Sequence, residues 1–201
     1  MLPQTEARIR GGWALMAKVR CGPGWSAVQA QADQCGMFVH SADDLHVTVL
    51  FLGRDMVASR ADKVRAALTE TMQELTNDWR AGVESGRFRV PGRLVGGPIP
   101  AAFLPMRFPG VVGQFPNKTA THVHVECEPG AVLVAFRNRF RSRLGFDVRD
   151  DFGGYRPHVT LAEGPAGSSL RRPALVPPSI TNSSELVLKI GSDIREKYVF
   201  S

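Results

Sequence analysis

Residues 45–53 read LHVTVLFLG: a histidine and a threonine two positions apart, inside a run that is otherwise apolar and closed by Gly53. β-Branched and aromatic residues favour pleated backbone, so the run predicts a strand. Successive strand side chains point to opposite faces, which puts His46 and Thr48 on one face and Val47 and Val49 on the other. The valines belong to a core. His46 and Thr48 therefore face solvent, a cleft or another part of the chain.

The tetrad returns 112 residues later as His158-Val159-Thr160-Leu161. With 5 histidines and 9 threonines in 201 residues, chance supplies roughly 0.2 His-x-Thr tripeptides, so the repeat marks two related halves. The order of elements also recurs: strands, helix, strands, then strand, helix, strands. Ser59 with Asp62 resembles a capping box, and Val64, Leu68, Met72 and Leu75 follow at helical spacing. A second helix after Pro129-Gly130 carries Leu133, Phe136, Phe140 and Leu144 on its apolar face, with Gly145 placed to end it. Arg137, Arg139, Arg141 and Arg143 spread around that helix and are expected as solvated surface.

Further strands are expected in "WALMAKV" (13–19), "MFVH" (37–40), "THVHVEC" (121–127), "SELVLKI" (184–190) and "EKYVF" (196–200), and the strand of the first motif is expected to end at Gly53. "WSAVQAQAD" (25–33) reads as a short amphipathic segment. The Gly/Pro-rich residues 86–115 suggest short strands broken by turns, with Arg87 and Arg89 on one face of "RFRV". Residues 1–201 are expected to form one bilobal domain of two pseudo-repeats, with 1–12 as a flexible N-terminus.

A 43% apolar composition supports a real core, and a net charge of +6 with a pI near 9.7 favours nucleic acid or a phosphorylated ligand. Cys21, Cys35 and Cys127 form no paired motif, so they read as reduced thiols and argue against thiol catalysis. No signal-peptide core is evident, and no apolar run approaches the roughly 20 residues that span a bilayer. A cytoplasmic location is expected. No Walker loop, GxGxxG or GxSxG element occurs.

Two strands facing each other across a groove would bring two imidazoles and two hydroxyls around one small volume. That set suits phosphodiester cleavage. A neutral imidazole takes the proton of the attacking oxygen, an imidazolium protonates the leaving oxygen, and the hydroxyls donate to non-bridging oxygens. With an ordinary pKa of roughly 6.5, both imidazole forms are accessible near neutrality. No metal is required.

The paired "HVTVLFLG" and "RPHVTLA" resemble the two His-x-Thr motifs of the two-histidine (2H) phosphoesterases. These include 2′-5′ RNA ligase-like proteins, cyclic nucleotide phosphodiesterases and phage enzymes that degrade cyclic oligonucleotide signals. The resemblance implies an α+β, bilobal, pseudo-symmetric fold in which two antiparallel sheets line a central cleft with helices outside. It implies that His46 and His158 are the acid/base pair and Thr48 and Thr160 the phosphate-binding hydroxyls. For opening a 2′,3′-cyclic phosphate it favours His158 as activator of water and His46 as proton donor, although pseudo-symmetry makes the roles exchangeable.

Tyr155 and Arg156, just before the second motif, are positioned for base stacking and phosphate contact; Tyr155 as core packing is an equal alternative. Phe51, in the strand of the first motif, is grouped with the substrate-binding residues. His122 and His124 share a strand face and could hold zinc with Glu126, with His40 unplaced; the favoured reading instead has one of them lining the groove. The expected protein is a metal-independent monomer without cofactor, acting on a nucleotide or RNA-type phosphodiester, with RNA ligation possible in reverse. The alternative is a nucleotide- or RNA-binding protein that keeps the basic cleft without turnover.

Overall fold

In chain order the elements are β1 (Arg8–Cys21), α1 (Trp25–Gln34), β2 (Phe38–Val39), a 3-10 turn (Ala42–Asp44), β3 (His46–Val57) and α2 (Ser59–Glu84). There follow β4 (Met106–Arg107), β5 (Val112–Pro116), β6 (Ala120–Glu126), β7 (Glu128–Pro129), α3 (Ala131–Arg143), β8 (His158–Pro165), β9 (Ile180–Ile190) and β10 (Ile194–Val199). The computed structural model describes residues 7–86, 106–109, 112–116, 120–148, 154–166 and 179–199. Arg87 and Arg89, with most of the Gly/Pro-rich middle and of the Pro-rich connection, lie outside the described residues.

Two antiparallel sheets, β10-β9-β1-β3 and β8-β6-β5, run into each other through one residue pair, Val47↔Val159. The closing strands β9 and β10 complete the sheet of the first motif, while β2 from the first half pairs with β8 of the second. One face of this sheet is covered by helices. Val64, Leu68 and Leu75 of α2 and Leu133, Phe136 and Phe140 of α3 share a buried cluster with Val47, Val49, Val159 and Leu161. The other face carries both His-x-Thr motifs. This is the α+β, pseudo-symmetric arrangement that the resemblance implies.

Several boundaries differ from expectation. Strand β1 starts at Arg8, ahead of Trp13, so 8–12 are strand, not flexible terminus. Strand β3 passes through Gly53, whose φ of 129 suits glycine, and continues to Val57. Helix α2 has Ala58, not Ser59, at its N-cap, and Asp62 accepts instead from Arg65 at 2.9 Å. Helix α3 ends as expected, with Gly145 left-handed at φ 66 just beyond it.

Candidate active site

The antiparallel register at Val47↔Val159 sets His46 beside Thr160 and Thr48 beside His158 on the face away from the helices. Burial follows the alternation: Val47, Val49, Val159 and Leu161 are each 0% exposed, whereas the four motif side chains are half-buried. Each histidine is oriented in the same way. The Nδ1–H of His46 donates to the carbonyl of Asp44 (2.7 Å), and that of His158 to the carbonyl of Arg156 (2.8 Å). Asp44 and Arg156 are themselves equivalent under the repeat. With Nδ1 engaged at the backbone, Nε2 is the nitrogen through which either ring can exchange a proton. Burial holds the His46 pKa below its ordinary value, the bond to Asp44 opposes this, and Lys18, His40 and Lys189 add to the lowering. Burial thus favours the neutral form of His46.

Both motif strands then break their alternation at the same place. In β3 the register against β1 slips between Leu15↔Leu50 and Met16↔Thr48, and in β8 that against β6 slips between Val123↔Ala162 and His124↔Thr160. The extra residues, Val49 and Leu161, are repeat equivalents. Each is followed by a second buried residue, Leu50 or Ala162, so these are paired β-bulges three residues after each histidine. Simple alternation would turn Phe51 into the core; the bulge returns it to the cleft face, where it packs on Ala14, Met16 and Val187. Glu163 occupies the equivalent position in the second half.

The bulge also explains Arg137. Only 5% exposed, it reaches from α3 to donate through Nε to the carbonyl of Val49 at 3.1 Å, and its guanidinium lies 4.5 Å from the Tyr155 ring centre. Arg137 is thus not the solvated residue expected. Arg139 and Arg143 pair with Glu74 of α2, and Arg139 also with Asp78 at 2.7 Å. Tyr155 backs the second motif through this stack, while Arg156 is exposed and contributes its carbonyl to His158. Arg137→Ala leaves a buried carbonyl without its donor and should cost about 2–4 kcal/mol, read as a fall in thermal stability that Arg137→Lys does not restore.

His124 is brought to the site and His122 is set to one side of it. The His124 ring meets that of His158 edge-on at 5.2 Å and is 2% exposed, so it packs beside that ring on the face it shares with its paired residue Thr160. Half-buried His122 faces Glu163, Nδ1 to Oε1 3.4 Å. Among the described residues no three His, Cys, Asp or Glu side chains are arranged to hold a metal ion. Gly113, paired with His124, makes room for the ring: a Cβ there would lie 2.6 Å from Nε2. Gly113→Ala should therefore push His124 into His158 and lower turnover about tenfold or more, with a smaller effect on thermal stability.

Burial and the neighbouring His158 push the His124 pKa down to about 4. Because the native state then binds fewer protons than the unfolded chain, stability is fully present above about pH 6.5. It is lost as pH falls toward about 4, by on the order of 2–3 kcal/mol. Thermal unfolding followed from pH 8 to 4 should show this slope, and His124→Asn should flatten it.

Sequence alternation missed Lys18, which pairs with His46 and so shares its face, and whose Nζ donates to the carbonyl of Asp43. Phe38, His40 and Glu163 were also not assigned to the cleft face. The signal for Lys18 was its parity within β1; the others depend on the bulge and on β2 crossing to β8.

Residues 22–176 match the model of the 2′-5′ RNA ligase superfamily. Among solved structures, Escherichia coli LigT complexed with NADP+ is 15% identical, with 96% of this chain and 98% of that chain covered at a TM-score of 0.50. The MHV ns2 PDE domain is 16% identical, with 90% and 100% covered at 0.49, and TT0787 of Thermus thermophilus is 17% identical, with 94% and 95% covered at 0.46. No curated protein sequence matches. With the family model spanning most of its length and a His-x-Thr motif on each half's cleft strand, this chain belongs to the 2′-5′ RNA ligase superfamily of two-histidine phosphoesterases.

Proposed function

We propose that the protein is a metal-independent phosphodiesterase acting on an RNA-like or cyclic nucleotide phosphodiester. The observation that carries this is the matched pair of imidazoles, each tied through Nδ1 to the carbonyl two residues before it, on adjoining strands with a threonine beside each ring. A phosphate between the strands would meet the hydroxyls of Thr48 and Thr160 at its non-bridging oxygens. Nε2 of one histidine would then lie toward the attacking oxygen and Nε2 of the other toward the leaving oxygen.

The lowered pKa of His46 favours this ring as the base, since burial favours its neutral form. His158 then protonates the leaving oxygen. This reverses the assignment that family resemblance favours for opening a 2′,3′-cyclic phosphate. Lys18, on the His46 face, adds positive charge for the phosphate. The superfamily handles RNA-type phosphodiesters, which fits the basic composition.

The test is hydrolysis of a panel containing 2′,3′-cyclic mononucleotides, a 2′-5′ dinucleotide, cyclic di- and trinucleotides and RNA ending in a 2′,3′-cyclic phosphate, each with EDTA. At least one should be cleaved, at a rate EDTA leaves unchanged. No cleavage, with nucleotide binding retained, would favour a binding protein; loss of activity in EDTA would remove the metal-free mechanism.

A further inference from the structure

Strand β2 pairs with β8 as Phe38↔Glu163, and β6 pairs on the other edge of β8 as His122↔Glu163. Directly paired residues share a face. Phe38, Glu163 and His122 therefore form a row across three strands, on the face that carries His158 and Thr160. His40 joins it, its Nε2 3.1 Å from Glu163 Oε1 and its ring edge-on to Phe38 at 5.5 Å between centres. One carboxylate oxygen is thus held between two imidazoles, and among the described residues the other has no partner.

Phe38 is 68% exposed, the most exposed large apolar side chain described. The exposed Phe38 ring and the carboxylate held by His40 and His122 present a flat apolar face and a hydrogen-bond acceptor side by side. The opposite end of the cleft differs, because Phe51 in the position equivalent to Glu163 is packed on Ala14, Met16 and Val187. The two ends are therefore built for different chemistry.

Resting on the phosphodiesterase reading of this cleft, we propose that Phe38 and Glu163 form a nucleobase subsite beside the catalytic quartet. The base stacks on Phe38 and donates an amino hydrogen to Glu163 Oε2, while His40 and His122 hold the carboxylate in place. Past the bulge, Glu163 is the next cleft-face residue after Thr160, roughly 7–10 Å along the strand, a span that a nucleoside bridges from phosphate to base. A carboxylate accepts from the amino group of cytosine, adenine or guanine. It repels the carbonyl oxygens that flank the lone imino hydrogen of uracil. It also disfavours a second phosphate at this end. The subsite therefore selects an amino-bearing base over uracil.

The experiment is calorimetric binding of cytidine and uridine 3′- and 5′-monophosphates to wild type, Phe38→Ala, Phe38→Trp and Glu163→Gln, alongside the hydrolysis panel. Cytidine should bind more tightly than uridine to the wild type. Phe38→Ala should weaken cytidine binding by on the order of tenfold, Phe38→Trp should retain it, and Glu163→Gln should bring the two nucleotides together. All variants should keep the wild-type melting temperature within a few degrees, since Phe38 is exposed. Hydrolysis by the wild type with nucleotide binding indifferent to Phe38 and Glu163 would overturn the subsite and leave the phosphodiesterase reading standing. Base-selective binding that depends on both residues, without hydrolysis of any diester, would uphold the subsite and remove that reading.

Discussion

His158→Ala should lower turnover of a cleavable phosphodiester by about 10²–10⁴-fold, and His46→Ala by a similar factor. On the proposed mechanism each substitution removes one proton-transfer group and leaves the threonine hydroxyls and the rest of the cleft in place. Both rings are half-buried, each tied through Nδ1 to the carbonyl two residues before it, so the melting temperature should move little. Nucleotide binding should persist. The double variant should be scarcely worse than either single one, because groups that act in one transition state are not additive. Stopped-time assays beside calorimetric binding would check all three expectations.

The second large effect separates the two histidines by leaving group. If His158 is the acid, an aryl nucleotide ester, whose phenolate departs without a proton, should recover most of the activity that His158→Ala loses on a ribose leaving group. The residual defect should be about tenfold or less. His46→Ala should stay as impaired on the aryl ester as on the natural one, since water still needs a base. The opposite pattern, with His46→Ala rescued, would return the acid role to His46. The lowered His46 pKa, set by burial and by Lys18, His40 and Lys189, is what makes the first pattern the expected one.

The placement of the two motifs was legible because period-2 alternation and a repeat are both local signals. His46 and Thr48 against Val47 and Val49, and the same four positions from His158, needed only strand geometry to sort into a cleft face and a core face. What stayed hidden was the bulge. "VLFL" and "LAEG" carry no mark that two consecutive residues will both point inward, so alternation alone turns Phe51 to the wrong side and gives Glu163 no role. The bulge arises from pairing with β1 and β6, whose registers are tertiary facts. Arg137 was misread for the same reason. Its partner is a carbonyl 88 residues away, at the residue where the strand bulges. Likewise, "MFVH" gave a strand but not its partner, and only the crossing of β2 to β8 sets Phe38 and His40 beside Glu163.

The measurement that bears most directly on the proposed two-histidine mechanism is the pH dependence of kcat/KM for wild type, His46→Ala and His158→Ala on one cleaved diester. The wild type should give a bell. Its acid limb should lie below the ordinary histidine range, because His46 must be neutral to act and its pKa is lowered; activity rises as pH increases through that limb. His46→Ala should lose this limb and His158→Ala the descending one. A wild-type profile without a bell, or one whose limbs survive both substitutions unchanged, would contradict two-histidine catalysis in this cleft.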